Sequence, residues 1–303
     1  MIFPPYLQPG DQVIILSPSS KIDKELVYGQ KERLKSWGLH VKLAPHALDK
    51  YHNFAGTLTQ RLSDLQKAMD HPEIKAIFCS RGGYGAVHLL EHLDFTNFRK
   101  SPKWLIGFSD ITALHNTWQK EGFVSIHGLM GRHLAKEPAD DPQTLRLKAI
   151  LFGEKLHEII PGNRYNIPGT ATGILRGGNL SVFYGLRGTP YDLPAKNTLL
   201  LIEDIGERPY HIERMMYNLK LGGMLENLSG LLVGQFTEYT EDKAIGKTVY
   251  EMIHDLVKPY GYPVCFDFPS GHTANNVPLI LGSSVTLRVT KKEAELSLSE
   301  KDS

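Results

Sequence analysis

The sequence predicts an α/β protein with a doubly wound, mostly parallel sheet in an N-terminal domain and a second, β-rich, barrel-like domain after it. In the first half, short apolar runs alternate with segments whose apolar residues recur at three- and four-residue spacing. The 303 residues exceed the ~250 at which single cores usually stop growing. We therefore expect an α/β domain over 1–136, a polar linker over 137–166 and a β-rich domain over 167–303.

The first domain is predicted from four strands and four helices. The strands are Gln12–Ser17, Val41–Ala44, Ile74–Cys79 and Trp104–Phe108, and the helices are Glu25–Trp37, Thr57–Met69, Gly85–His92 and Ile111–Lys120. Strands that alternate with helices indicate a parallel sheet covered on both faces. Such sheets bind ligands beyond the carboxyl ends of their strands, so the residues after Ser17, Cys79 and Phe108 are the first candidates for chemistry.

The linker is polar and interrupted by proline and glycine, and the second domain has more predicted strands than helices. One helix, Pro142–Phe152, lies between the breaks of the linker. The predicted strands of the second domain are Ala171–Leu175, Thr198–Glu203, Leu228–Gln235 and Val285–Val289, with helices at Pro209–Leu219 and Thr248–Lys258. No internal repeat occurs in the sequence, which argues against a solenoid.

Composition excludes several classes of protein. The 34 basic and 33 acidic residues are spread together along the chain, so neither a nucleic-acid partner nor an anionic membrane is indicated. Two cysteines, Cys79 and Cys265, are too few for a disulfide framework and fit a reducing compartment. The N-terminus has no signal-peptide pattern, and apolar runs such as Leu199–Ile202 are far too short to span a bilayer. We expect a cytoplasmic protein without a membrane partner.

Ser109 is the candidate nucleophile. It follows the apolar strand and Gly107 and precedes a helical pattern, so it lies on a sharp strand-to-helix turn near free backbone N–H groups. Ile111 stands where the Gly-x-Ser-x-Gly elbow of α/β-hydrolases has its second glycine, so this turn is of another kind. The alternative is that Ser109 or Asp110 only caps the helix.

A glycine-rich turn, Arg81-Gly82-Gly83-Tyr84-Gly85, follows the preceding strand. An N–H of Gly82 or Gly83 could supply half of an oxyanion hole, with the N–H of Asp110 as the other half. A phosphate-binding turn and a plain tight turn are the alternatives, and the sequence matches neither common phosphate-binding motif. Cys79, at the same strand end, is a rival nucleophile, although a cysteine in an apolar strand is more often a buried small hydrophobe.

A serine needs a base and an orienting acid. His272 lies in a polar loop rich in helix- and strand-breaking residues, where a side chain can extend toward a substrate instead of packing in a core. The alternative is an exposed loop histidine without a role. Glu203 ends a wholly apolar strand, so its position is fixed; pairing with Arg208 or capping the next helix is its alternative. His211 and Glu213 are two residues apart on a helix, unlike a zinc-binding pair, so no metal site is expected.

Together these segments resemble the LD-carboxypeptidase family of serine peptidases, which includes murein tetrapeptide carboxypeptidases and microcin-immunity peptidases. The resemblance covers nearly the whole chain and rests on several motifs in order: Leu7–Asp11, Ser17–Ser20, Arg81–Gly85, Gly107–Thr112, Gly177–Leu180, Ile202–Asp204 and Gly271–His272. It implies a catalytic triad of Ser109, His272 and Glu203, with an oxyanion hole formed by backbone amides of Asp110 and of the Gly82–Gly83 turn. It also implies an α/β domain followed by a β-rich domain, a site at their junction, a homodimer and no metal or organic cofactor.

The function expected from this resemblance is cleavage of the LD-amide bond before a terminal D-alanine of a murein tetrapeptide. Arg81, Arg176 and Arg208 are the candidates for binding the substrate carboxylate, because guanidinium binds carboxylates bidentately. One alternative is the same chemistry on a peptide-nucleotide antibiotic. A long insertion typical of some immunity-type members is not evident between Glu203 and His272, which favours the murein class. Another alternative is a non-catalytic nucleotide- or sugar-binding module with phosphate at the glycine turn.

Overall fold

The computed structural model describes residues 1–299 and has two compact units, each with its own sheet. The first unit is Met1–Glu154 with Val277–Ile280, and the second is Lys155–Asn276 with the described residues 281–299. The predicted fold class, a two-domain α/β protein, is confirmed. Among the described residues no helix combines the length and apolarity needed to cross a bilayer.

The sheet of the first unit has six strands. They are β1 (Gln12–Leu16), β2 (His40–Leu43), β3 (Ile74–Cys79), β4 (Trp104–Gly107), β5 (Ser125–His127) and β11 (Leu279–Leu281). Their order is β11-β5-β4-β3-β1-β2, and every neighbouring pair from β2 to β5 is parallel. The carboxyl ends of β1, β3 and β4 are therefore neighbours at one edge of the sheet, where ligands of doubly wound folds bind.

Five α-helices belong to the first unit: α1 (Lys24–Ser36), α2 (Leu58–Asp70), α3 (Thr112–Lys120), α4 (Gly131–Lys136) and α5 (Pro142–Leu151). Local sequence explains where several begin. Thr57 and Gln60 form a reciprocal capping box at α2, and the Asp141 carboxylate accepts from Thr144 N–H with Pro142 in the first turn of α5.

The sheet of the second unit has seven strands. They are β6 (His157–Pro161), β7 (Gly169–Asn179), β8 (Thr198–Ile205), β9 (Gly230–Thr237), β10 (Val264–Phe266), β12 (Ser284–Val289) and β13 (Glu293–Leu298), in the order β10-β9-β8-β7-β12-β13-β6. The pairs from β10 to β7 are parallel and those from β7 to β6 are antiparallel. An isolated antiparallel bridge joins Ile167 to Val264 at the outer edge of β10. The barrel-like form expected for this domain stays a prediction.

Three helices pack on this second sheet: α6 (Leu180–Gly185), α7 (Pro209–Leu221) and α8 (Val249–Val257). Their apolar faces and strands β8 to β10 form one buried hydrophobic cluster, which includes Phe183, Met215 and Ile253. This core fixes β8, the strand that carries Glu203.

Two expectations about local structure need correction. The segment predicted as a helix over Gly85–His92 is a 3₁₀ helix over Ala86–His92. It begins one residue later than predicted because Gly85 has φ of 124°, which is not a helical conformation. The short apolar segment Leu279–Leu281 is strand β11 of the first sheet, although it follows almost the whole second unit in sequence. Its partner strand β5 is distant in sequence, so no local sequence pattern predicts this pairing.

Candidate active site

Ser109 lies on a strained turn at the carboxyl end of β4. Phe108 is extended, and Ser109 has φ of 64°, one of five non-glycine residues with positive φ among the described residues. A 3₁₀ turn, Ser109–Ile111, then leads directly into α3. A non-glycine residue in this region typically costs about 1–3 kcal/mol, and such strain is typical of functional sites.

The glycine turn after β3 lies directly against this serine turn. A Cβ built on Gly82 would lie 2.9 Å from Ser109 Cβ and 3.2 Å from the backbone N of Asp110, so any side chain here would collide with the turn. Gly83 has φ of 100°, and a Cβ there would collide with the hydroxyl of Ser20. The three residues proposed for the oxyanion hole are therefore grouped around Ser109 within the first unit.

The buried Asp110 side chain ties these two turns together, a role that the sequence did not reveal. Its Oδ2 accepts a 2.8 Å hydrogen bond from the N–H of Ala86, the first residue after the glycine turn. Arg61, also buried, donates from Nη1 to the carbonyls of Gly85 at 2.9 Å and Pro18 at 2.6 Å. Burial lowers the pKa of Arg61, while the charge of Asp110 raises it. Arg61 and Asp110, through their hydrogen bonds to backbone groups, thus connect the loops after β1, β3 and β4.

His272 and Glu203 meet in the second unit. His272 Nδ1 lies 2.8 Å from Glu203 Oε2, although 69 residues separate them in sequence. The Glu203 side chain is fully buried, whereas 15% of the His272 side chain is exposed. A carboxylate at Nδ1 fixes the imidazole orientation and leaves Nε2 to act as a base.

Two glycines make room for this pair. A Cβ on Gly271, whose φ is 129°, would lie 2.8 Å from Glu203 Oε2, and one on Gly234 would lie 2.5 Å from the carbonyl of Ser270. The loop is held by Asn276, whose Oδ1 accepts from the Gly271 N–H at 2.9 Å. A glycine at position 271, directly before His272, is therefore required for the Glu203 carboxylate to fit against the histidine.

Opposing effects act on the pKa of His272. Burial lowers it, but the hydrogen bond to Glu203, the charge of Glu203 and then the charges of Asp204 and Glu238 raise it more. The net pKa of His272 is raised above its ordinary value. The carboxylates therefore stabilise the imidazolium that a general base forms when it accepts a proton.

Asp204, the other half of the acidic pair, has separate partners. Its carboxylate accepts from Asn179 Nδ2 at 2.9 Å, Ser181 N at 2.8 Å and Ile205 N at 2.9 Å. Burial and the charge of Glu203 raise the pKa of Asp204 to about 6 despite these hydrogen bonds. Asp204 thus anchors the start of α6, where Asn179 is the N-cap, while Glu203 contacts the histidine.

Packing explains the rival nucleophile Cys79 and also His115, a histidine on the helix that follows Ser109. The Cys79 side chain is fully buried, and burial and the charge of Asp110 raise its pKa, so the thiolate form of a nucleophile is disfavoured. His115 is fully buried, with Nδ1 2.8 Å from Ser125 Oγ and Nε2 2.8 Å from the carbonyl of Gly107. Burial lowers its pKa to about 4, outweighing the hydrogen bond to Gly107, so His115 is a neutral structural residue at neutral pH.

The three candidate arginines lie in different surroundings. Arg81 is exposed and lines a cleft beside the glycine turn; Arg176 is half-buried on β7; Arg208 is exposed at the start of α7. Within residues 1–299, no group of three or more His, Cys, Asp and Glu side chains is arranged to hold a metal ion.

The structure thus groups Gly82, Ser109 and Asp110 in one unit and Glu203 with His272 in the other. One group offers a hydroxyl on a strained turn beside backbone amides, and the other offers a base oriented by a carboxylate. These are the components of nucleophilic acyl transfer.

Both halves of the chain match one family. The pattern of the LD-carboxypeptidase N-terminal domain matches residues 13–128, and that of the LD-carboxypeptidase C-terminal domain matches residues 172–287. The murein tetrapeptide carboxypeptidase of Pseudomonas aeruginosa is 31% identical over 294 residues, covering 92% of this chain and 94% of the relative. A probable murein peptide carboxypeptidase of Bacillus subtilis is 33% identical over 307 residues, covering 96% and 93%.

Solved structures share the fold. The muramoyltetrapeptide carboxypeptidase of Oxalobacter formigenes superimposes with a TM-score of 0.85 at 28% identity, covering 95% of this chain and 99% of that one. The microcin C7 self-immunity protein MccF gives a TM-score of 0.86 at 20% identity, covering 99% of each chain, which shows the common fold alone.

Proposed function

Because the chain belongs to the LD-carboxypeptidase family of serine peptidases, we propose that it cleaves the LD-amide bond before the terminal D-alanine of murein tetrapeptides. The names of the two curated relatives, a murein tetrapeptide and a murein peptide carboxypeptidase, support this substrate class. We further propose that the enzyme works as a homodimer in the cytoplasm, in peptidoglycan recycling.

In this proposal Ser109 Oγ attacks the carbonyl of the residue before D-alanine. His272 accepts the serine proton at Nε2 and then donates it to the leaving amine of D-alanine, while Glu203 balances the charge of the imidazolium. Water, activated by the same histidine, hydrolyses the acyl-enzyme and regenerates Ser109. The backbone N–H groups of Asp110 and of the Gly82–Gly83 turn stabilise the oxyanion of each tetrahedral intermediate.

The observation that carries the proposal is the 2.8 Å contact between His272 Nδ1 and the fully buried Glu203 carboxylate. Burying a carboxylate is unfavourable unless a partner compensates for the lost hydration. The partially exposed imidazole is that partner, and the raised pKa of His272 is what this pairing produces. A surface histidine without a role would not need a buried acid behind it.

Replacement of Ser109 by alanine tests the assignment. We expect Ser109→Ala to lower kcat for D-alanine release from a murein tetrapeptide at least ~10³-fold, because the nucleophile is lost. Mass spectrometry of the products from tri-, tetra- and pentapeptides identifies the bond that is cut. Ser101→Ala, which removes only a surface hydroxyl that donates to the Pro72 carbonyl, is the matched control.

Turnover by Ser109→Ala equal to that of the wild type would refute the triad. Hydrolysis of the amide of a peptide-nucleotide antibiotic without release of D-alanine would instead support the microcin-immunity reaction. Nucleotide binding with no hydrolysis of either substrate would favour a binding module.

A further inference from the structure

A cleft of about 540 Å³ lies beside the glycine turn in the first unit. Its lining includes Lys21, His52 and Arg81, with the rings of Phe54 and Tyr84 as an apolar wall. Tyr84 is 57% exposed and its ring centroid lies 6.0 Å from that of Phe54. The cleft therefore combines positive charge with an aromatic surface.

Its walls are fixed by hydrogen bonds. Arg81 Nη1 donates to the carbonyl of Lys21 at 2.9 Å, and the Lys21 N–H donates to the carbonyl of Asn53 at 2.9 Å. The Tyr84 N–H donates to Ser20 Oγ at 3.1 Å. These bonds join the loops after β1, β2 and β3 and orient the Arg81 guanidinium.

The cations of this cleft have no acidic partner. Within residues 1–299, no carboxylate lies within ion-pair distance of Arg81 or Lys21, and Arg81 Nε and Nη2 have no hydrogen-bond partner. Both cations line one cleft without a counter-charge, and a bound anion would supply it. A guanidinium with free N–H groups matches a carboxylate bidentately.

We propose that this cleft is the subsite for the free α-carboxylate of the terminal D-amino acid, with Arg81 binding it and Lys21 adding charge. The inference rests on the proposed function. Arg81 immediately precedes Gly82, which touches the Ser109 turn. In a peptide the terminal carboxylate lies within one residue length, ~3.6 Å, of the scissile carbonyl, so its subsite is expected beside the oxyanion turn, and this cleft is lined by residues of the same glycine turn.

The surroundings of the other two arginines do not suit this role. Arg208 lines a separate cleft in the second unit, where four carboxylates outnumber the cations of Arg208 and Lys243 and would repel an anion. The carboxylates are those of Glu207, Glu238, Glu241 and Asp242. Arg176 is half-buried and already engaged in an interaction of its own.

The test measures binding to the Ser109→Ala variant, which keeps the substrate intact. Calorimetry gives Kd for a murein tetrapeptide ending in D-alanine and for the same peptide with a C-terminal amide. We expect the acid to bind about 10- to 100-fold more tightly than the amide, and Arg81→Ala to abolish that preference by weakening only the acid. Arg81→Lys should retain part of it, and Lys21→Ala should reduce it less than Arg81→Ala does.

Arg288→Ala, which removes an exposed arginine on β12, is the matched control and should leave both Kd values unchanged. Equal weakening of both peptides by Arg81→Ala, or loss of the preference only in Arg176→Ala or Arg208→Ala, would overturn the subsite. If neither peptide binds, the substrate class and the subsite both fail. If Ser109→Ala still releases D-alanine, the triad assignment is wrong. If Ser109→Ala is inactive but the tighter binding of the acid persists after Arg81→Ala, the triad stands and only the subsite assignment is wrong.

Discussion

Replacement of Glu203 by glutamine should separate two effects of this carboxylate: the orientation of the His272 ring and the stabilisation of its imidazolium form by a negative charge. The amide keeps the size of the side chain, so the contact between position 203 and His272 Nδ1, 2.8 Å in the native protein, can persist as a neutral hydrogen bond. The negative charge that favours the imidazolium disappears. We expect a folded enzyme with a much lower kcat.

The magnitude follows from Coulomb's law. Charges centred ~4 Å apart attract by about 4 kcal/mol at an effective dielectric constant of 20. Since His272 carries its positive charge only after it has accepted the serine proton, this attraction stabilises the transition state more than the resting enzyme. At 1.36 kcal/mol for each tenfold change in rate, kcat should fall by about 10³.

The pH profile gives an independent readout. His272 must be neutral to act as a base, and its raised pKa places the acidic limb of kcat/KM at a higher pH than an ordinary histidine would. In Glu203→Gln the contribution of Glu203 that raises this pKa is lost while burial still lowers it, so the acidic limb should move to lower pH.

A second glutamate–histidine pair in the same unit provides the control. Glu295 Oε1 lies 3.0 Å from His157 Nε2, but both side chains are substantially exposed. Glu295→Gln should leave the kinetics unchanged, because exposed ion pairs contribute little. The argument fails if Glu203→Gln, with native circular dichroism and melting temperature, keeps kcat/KM within threefold of wild type and the same acidic limb.

Two further variants test the buried carboxylates around the candidate site. Asp110→Ala leaves the buried Ala86 N–H without its acceptor and should destabilise the fold by about 1–3 kcal/mol in urea unfolding. The kcat of this variant should fall with little change in KM. An unchanged kcat would rule out a positioning role for Asp110. Asp204 has a folded pKa of about 6, above the ordinary aspartate value, so its contribution to the free energy of unfolding should decrease as pH rises from about 4 to 6. The difference in unfolding free energy between wild type and Asp204→Asn should follow that window, and parallel pH curves for the two proteins would contradict it.

Local sequence patterns determined much of the fold and most of the candidate residues. The runs that become β3, β4 and β8 are apolar, and the turns that follow them contain glycine, serine and acidic residues, so strand ends and their chemistry could be identified. His272 stood out because breaker residues surround it. The α-helices that were predicted begin within a residue or two of the expected positions, because capping residues such as Thr57 act on their immediate neighbours, whereas the short helices α4 and α6 were not predicted.

Only the tertiary structure decided which of these residues meet. Glu203 and Asp204 are adjacent in sequence, yet one contacts His272 and the other Asn179, because each side chain meets a partner from a different distant segment. The bond from the Asp110 carboxylate to Ala86 N–H and the entry of Leu279–Leu281 into the first sheet depend in the same way on segments far apart in the chain. Propensity and capping act over a few residues, whereas such contacts are chosen by the packing of whole sheets.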